Sequence, residues 1–225
     1  MVALTGRDEK NLAEVAGQIK KIGGNAVIQK MDVKDTDDIR QGIDSCVRRM
    51  EGLNILVNNA GYESVSDSFE VTPDLWDTIL DTNLKGAFFC AQAAGEKMAA
   101  MGGGAIVNVC SLTSSVGVAT AVPYTSSKSG LLGMTRALAT EWASRGIRVN
   151  AIAPGAIETA ALARVLTPET KEAMLKRTPE LAAEVTLQPI EAFAMDVRLN
   201  VRMRINQHLP PIWGDEQSGR VATIA

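Results

Sequence analysis

The chain has 225 residues, 46% of them hydrophobic and 22% charged, with a formal net charge of -3. That length can bury a sizeable core, and the weak negative balance leaves no basic stripe for nucleic acid. His208 is the only histidine, which excludes a Ser-His-Asp apparatus and a multi-histidine metal centre.

Cys46, Cys90 and Cys110 have neither CxxC spacing nor a histidine beside them, so they read as reduced, buried thiols and no metal site is expected. The longest apolar runs fall short of a membrane span, and the opening MVALTGRDEK lacks the layout of a secretory signal. A cytoplasmic location is expected.

In chain order, VALTG (Val2 to Gly6) reads as a strand, and Asp8 to Ile22 as a helix with Leu12, Val15, Ile19 and Ile22 on one face. NAVIQKMDV is a second strand, and Asp35 to Met50 a second helix with Asp35 as its N-cap. LNILVNNAG is a continuous apolar strand running into a polar turn, as a buried parallel strand does at its carboxyl end. A long helix spans roughly Thr72 to Met101, followed by a GAIVNVCS strand, a helix from Ala121 to Ala143, and an IRVNAIAPG strand. Short β-branched runs alternating with helical stretches spell βαβ units and a parallel sheet.

Ligands bind outside the carboxyl ends of parallel strands, and those ends here carry Gly6-Arg7, Asp32-Val33, Asn58 to Gly61, Ser111 and Pro154-Gly155. Tyr124, with Lys128 one helical turn on, starts the helix after Ser111 and returns to the same edge. The ordered set NNAG, the Asn83 of DTNLKG, Ser111, YxxxK and PGxxxT resembles the short-chain dehydrogenase/reductase superfamily over roughly Val2 to Arg177. The resemblance implies an α/β, Rossmann-like doubly wound parallel sheet over residues 1–178, followed by a divergent segment, 179–225.

The spacing has a chemical reason. A phenol ionises near about 10, so acid/base work near neutrality needs a downward change of about 3, worth about 4 kcal/mol. A lysine four residues on shares the helix face, and one charge about 5 Å away at an effective dielectric of about 20 supplies about 3 kcal/mol. By resemblance, Tyr124 moves the proton, Ser111 hydrogen-bonds the reacting oxygen, and Lys128 holds the nicotinamide ribose. The resemblance further implies that Asn83 kinks its helix and carries a water in the proton relay. The resemblance also assigns Arg7, Asp32, Val33, Asn59, Ala60, Gly61, Pro154, Gly155, Ile157 and Thr159 to cofactor binding, with Tyr124 and Lys128. Asp32 reads equally as the solvated end of a strand, and Thr159 as the N-cap of a lid helix.

An NAD-preferring fold places an acidic residue at the end of the strand that VALTG represents. Gly6 stands there instead, followed by Arg7, whose guanidinium suits a 2′-phosphate, so NADP is expected over NAD. The expected reaction is hydride transfer between NADP(H) and a small carbonyl or secondary alcohol, of oxoacyl reductase or sugar-acid dehydrogenase type. The resemblance and the apolar helix faces imply a homodimer or homotetramer, with no nucleic-acid or membrane partner.

Two departures from the family pattern stand out. The chain opens at the family's second strand, so the usual first strand and its glycine-rich TGxxxGxG loop are expected to be lacking, and after residue 178 no family motif recurs. On that basis the alternative is a truncated, inactive homologue. Within the tail, Val221 to Ile224 is the segment that reads as a late strand.

Overall fold

The computed structural model describes residues 1–155 and 221–224. Ile157, Thr159, the lid region and the boundary at residue 178 lie outside the described residues. The strands are β1 (Val2–Gly6), β2 (Ala26–Lys30), β3 (Ile55–Asn58), β4 (Gly104–Val109), β5 (Ile147–Ile152) and β6 (Val221–Ile224). The helices are α1 (Glu9–Lys21), α2 (Thr36–Met50), α3 (Pro73–Leu80), α4 (Ala87–Ala100) and α5 (Val122–Trp142).

Local chemistry sets these boundaries. Asp8 and Asp35 cap α1 and α2, each accepting two backbone N–H groups that a helix start leaves without partners. Thr72 caps α3, with Pro73 in the first turn. The long helix of the sequence is interrupted between α3 and α4 by a π-helical turn, Asp81–Gly86. The Thr82 hydroxyl donates back to the Thr78 carbonyl at its start. At its end, a side chain on Gly86 would put a Cβ 2.5 Å from the Val33 carbonyl oxygen. The expected kink at Asn83 is this turn.

All neighbouring strands run parallel, in the order β2-β1-β6-β3-β4-β5. This is the doubly wound order 3-2-1-4-5-6 with the last strand of the described residues standing in the place of the first. Val221 pairs with both Val2 and Ile55, and Thr223 with both Leu4 and Val57. The central place between β1 and β3 is therefore filled, and it is filled from the tail.

Right-handed crossovers decide which face each helix covers. The step from β1 to β2 runs one way across the sheet and the later steps run the other way, so α1 lies opposite α2, α4 and α5. Those three helices share one core, in which Ile39, Ile43, Met98, Leu138 and Trp142 close over Leu56 and Ile106. Gly95 allows the close approach of α4 to α5, because a Cβ there would stand 2.9 Å from the Trp142 ring. Burial pushes the Cys46 thiol up to about 11 and the Cys90 thiol up to about 12, as expected of inert core cysteines.

Two packing expectations are corrected. On α1 only Leu12 is buried, while Val15 and Ile22 are exposed, because the helix packs on β1 and β2 at one side of the sheet. On α5, Leu131, Leu132, Leu138 and Trp142 are all buried within the single chain, so they are not a surplus apolar face. A concavity of about 190 Å³ between α4 and α5 reaches Ile147, the first residue of β5, and so lies at the amino edge of the sheet, away from the ligand edge.

Candidate active site

The carboxyl ends of β3, β4 and β5 carry most of the catalytic set. Cys110 N–H donates to the Ile152 carbonyl and Leu112 N–H to the Pro154 carbonyl, tying the exits of β4 and β5 together. Ser111 then caps a short 3-10 turn, Leu112–Ser114, accepting from Thr113 N–H, while its own N–H donates to the Ser114 hydroxyl. The Ser114 hydroxyl in turn donates to the Lys128 carbonyl at 2.9 Å, which staples the Ser111 turn to α5.

Tyr124 and Lys128 lie in the first two turns of α5. Lys128 is 4% exposed, and its ammonium donates to the Val109 carbonyl at 2.8 Å and stands 5.7 Å from the centre of the Tyr124 ring. Burial lowers the lysine's pKa, countered by Cys110 and Glu63. The phenol is half-buried, and burial pushes its pKa up; Glu63 and Cys110 add to the rise, while a hydrogen bond from Ser111 pulls it down. The expected lowering by Lys128 is not found: burial dominates and the phenol is held above its ordinary value, with the ammonium placed over the ring and engaged by a backbone carbonyl.

Asn83, fully buried in the π-helical turn, has its side chain occupied by protein. Its Oδ1 accepts from Tyr62 N–H at 2.7 Å, and its Nδ2 donates to the Tyr62 carbonyl and to the Ser127 hydroxyl. The Ser127 hydroxyl donates to the Tyr124 carbonyl at 2.7 Å. One asparagine therefore clamps the turn after β3 to the backbone of the tyrosine. Deeper in, Asn58 donates to Asn108 Oδ1 and to the Ala87 carbonyl, and Asn108 donates to Thr135. Asn58 is the structural member of NNAG, whereas Asn59 and Gly61 are exposed after β3 and Ala60 packs partly on the core. A Cβ on Gly61 would lie 3.7 Å from both Asn83 Oδ1 and Lys128 Nζ, so this glycine borders the same space.

The remaining residues lie at the ends of β1 and β2. Met31 N–H donates to the Gly6 carbonyl, placing exposed Arg7 near half-buried Asp32 and Val33. Asp32 bonds within its own turn, accepting from Lys34 N–H while its own N–H donates to the Asp38 carboxylate. Pro154 and Gly155 follow β5 on the same edge.

The structure brings Ser111, Tyr124, Lys128 and Asn83 into one cluster and places Arg7, Asp32 and Val33 at neighbouring strand ends. The layout offers a dinucleotide an ammonium and a phenol at Lys128 and Tyr124, an exposed guanidinium at Arg7 and an exposed glycine at Gly61, while no TGxxxGxG run occurs in the sequence. Sequence reasoning missed Ser114, Ser127 and Glu63. Ser127 lies one turn beyond Tyr124 on its own helix, and Glu63 lies two residues past NNAG. Among the described residues no group of side chains could hold a metal ion, and no helix is long and apolar enough to cross a membrane.

Comparison with known proteins agrees with this geometry. The chain is 37% identical over 179 residues to the 3-oxoacyl-[acyl-carrier-protein] reductase FabG of Staphylococcus aureus, covering 79% of this chain and 72% of that one. A solved Sinorhizobium meliloti protein classed with the short-chain alcohol dehydrogenases superposes with a TM-score of 0.73 at 54% identity, covering 79% of this chain and 69% of that one. A gluconate 5-dehydrogenase from Burkholderia cenocepacia, solved with NADP and tartrate, gives a TM-score of 0.74 at 33% identity, covering 79% and 70%. The short chain dehydrogenase family model matches residues 1–170, and the chain belongs to that family of NAD(P)-dependent oxidoreductases.

Proposed function

We propose that Tyr124 is the acid/base of a reaction that passes hydride between NADP(H) and a small carbonyl or secondary alcohol. The observation that carries this reading is a half-buried phenol in the first turn of α5 with the ammonium of buried Lys128 5.7 Å from the centre of its ring, at the ligand edge of the sheet beside Ser111. When bound, the nicotinamide supplies or accepts the hydride. Tyr124 gives its phenolic proton to the substrate oxygen during reduction and takes it back during oxidation. Ser111 hydrogen-bonds that same oxygen and, through Ser114, is held in register with α5. Lys128 favours the phenolate through its charge and offers ammonium protons to a ribose. Asn83 orients Tyr124 through Ser127.

Preference for NADP rests on Arg7, an exposed guanidinium at the end of β1, where an NAD-preferring site carries an acid. The NADP bound to the gluconate 5-dehydrogenase agrees with it. The alternative of a truncated, inactive homologue drew on the missing first strand and its glycine-rich turn; β6 occupies the strand's place in the sheet, while no TGxxxGxG run occurs in the sequence.

The reading is tested with NADPH and a panel of small ketones. Tyr124→Phe removes only the phenolic oxygen, so turnover is expected to fall by about a hundredfold or more while NADPH binding persists. Turnover kept within about twofold overturns the assignment.

A further inference from the structure

The loop after β3 carries a carboxylate that the reaction above does not use. Its backbone is fixed on both sides. Asn83 holds Tyr62 by its N–H and its carbonyl, and Ser66 N–H donates to the Thr120 carbonyl at 2.9 Å, next to the start of α5. Glu63 lies between these ties and is half-buried. Two residues earlier, Gly61 borders Lys128 Nζ and Asn83 Oδ1. The loop is thus pinned across the Tyr124 cluster, with Glu63 in its pinned part.

Glu63 also interacts with that cluster electrostatically. Its negative charge raises the pKa of both Tyr124 and Lys128, and Lys128 partly offsets the rise that burial imposes on the Glu63 carboxyl. Cys110 is the other ionisable group acting on the pair. Among the described residues no hydrogen bond or ion pair is made by the Glu63 carboxylate, and the ammonium of Lys128 donates to the Val109 carbonyl. A part-buried carboxylate without donors is costly to hold, and its cost is relieved when a ligand brings a donor. A carboxylate arriving at the same place meets a like charge in a site of reduced dielectric.

We propose that Glu63 sets the substrate class, accepting a hydrogen bond from a hydroxyl beside the reacting carbon of a neutral polyol or hydroxyketone and excluding substrates with a carboxylate there. The inference rests on Tyr124, Ser111 and Lys128 forming the reacting site. It separates this chain from the gluconate 5-dehydrogenase, whose named substrate and bound tartrate are both carboxylates.

The experiment uses the full chain saturated with NADP and a matched pair of four-carbon probes, threitol and tartrate, in which two hydroxymethyl groups are replaced by two carboxylates. The wild-type protein is expected to bind threitol at least about tenfold more tightly than tartrate. Glu63→Gln should erase or invert that ratio, and Glu63→Asp, which keeps the charge, should retain its direction. A second readout follows the Tyr124 phenolate by absorbance in a Tyr62→Phe background, where Glu63→Gln should move the titration to lower pH. An unchanged binding ratio in Glu63→Gln, an unmoved phenolate titration, or wild-type preference for tartrate overturns the proposal. If Tyr124→Phe abolishes turnover while Glu63→Gln leaves the ratio alone, only the substrate-class assignment fails. If Tyr124→Phe keeps full turnover, the acid/base reading itself fails.

Discussion

The two ends of the ligand edge are built on different plans. At the Tyr124 end, side chains are buried and cross-braced: Asn83 holds Tyr62 and Ser127, Ser127 holds Tyr124, Ser114 holds Lys128, and Lys128 reaches Val109. At the Arg7 end the key guanidinium is exposed, and a backbone bond from Met31 to Gly6 joins the two strand exits. On the proposed reading, the contrast follows from what each end has to do. Proton transfer needs a phenol held within a fraction of an ångström, which only packed and satisfied polar groups provide. Preference between two phosphorylation states needs a charge of the right sign within reach, which a solvated arginine supplies.

β6 is the seam between those ends, pairing with β1 on one side and β3 on the other, so breaking it gives the largest expected effect. Ala222→Pro removes a backbone N–H in a central parallel strand and should destabilise the chain by about 3 kcal/mol or more. Hydrogen exchange should show lost protection at Ala3 to Thr5 and at Ile55 to Val57 together, the neighbours on both sides of the seam. Unchanged protection on either side would mean that β6 does not join the halves.

The bracing of the Tyr124 end is broken next by Asn83→Ala, which removes the side-chain partner of Tyr62 N–H and of the Tyr62 carbonyl and leaves Ser127 only its bond to the Tyr124 carbonyl. The expected cost is about 2–4 kcal/mol in denaturant unfolding, with a fall in kcat larger than any change in NADPH affinity. The Arg7 end predicts a smaller and narrower change. Arg7→Ala should weaken NADPH binding by about 1–3 kcal/mol and leave NADH binding and stability nearly unaltered. Equal losses for both cofactors would assign Arg7 a general rather than a selective role.

The same contrast explains what could be read from the chain itself. Strands and caps follow from local chemistry: β1 spans the five residues expected of it, and Asp35 caps α2 because the next residues offer free N–H groups. The motif residues were legible because strand ends converge on one edge in a parallel sheet. What local pattern cannot show is partnership across the fold. Asn83 signalled a kink, yet its clamp on Tyr62 links residues 21 apart in sequence. Val15 and Ile22 fit the helical period of α1 but are exposed, while Leu12 is buried. The strand character of Val221–Ile224 was visible, whereas its central position depends on which place in the sheet the other strands leave between β1 and β3. Glu63 has no motif at all and matters only because the loop is pinned beside Lys128.

The central claim is that Tyr124 works as a half-buried acid/base whose ionisation answers to the charge beside it. It is tested most directly by the pH dependence of kcat in the wild-type protein and in Lys128→Met. Burial already holds the phenol above its ordinary value, and removing the ammonium placed over its ring should disfavour the phenolate further. The basic limb of the profile should therefore move to higher pH, with turnover and NADPH affinity falling together. A profile that stays in place, with turnover preserved, would contradict the account.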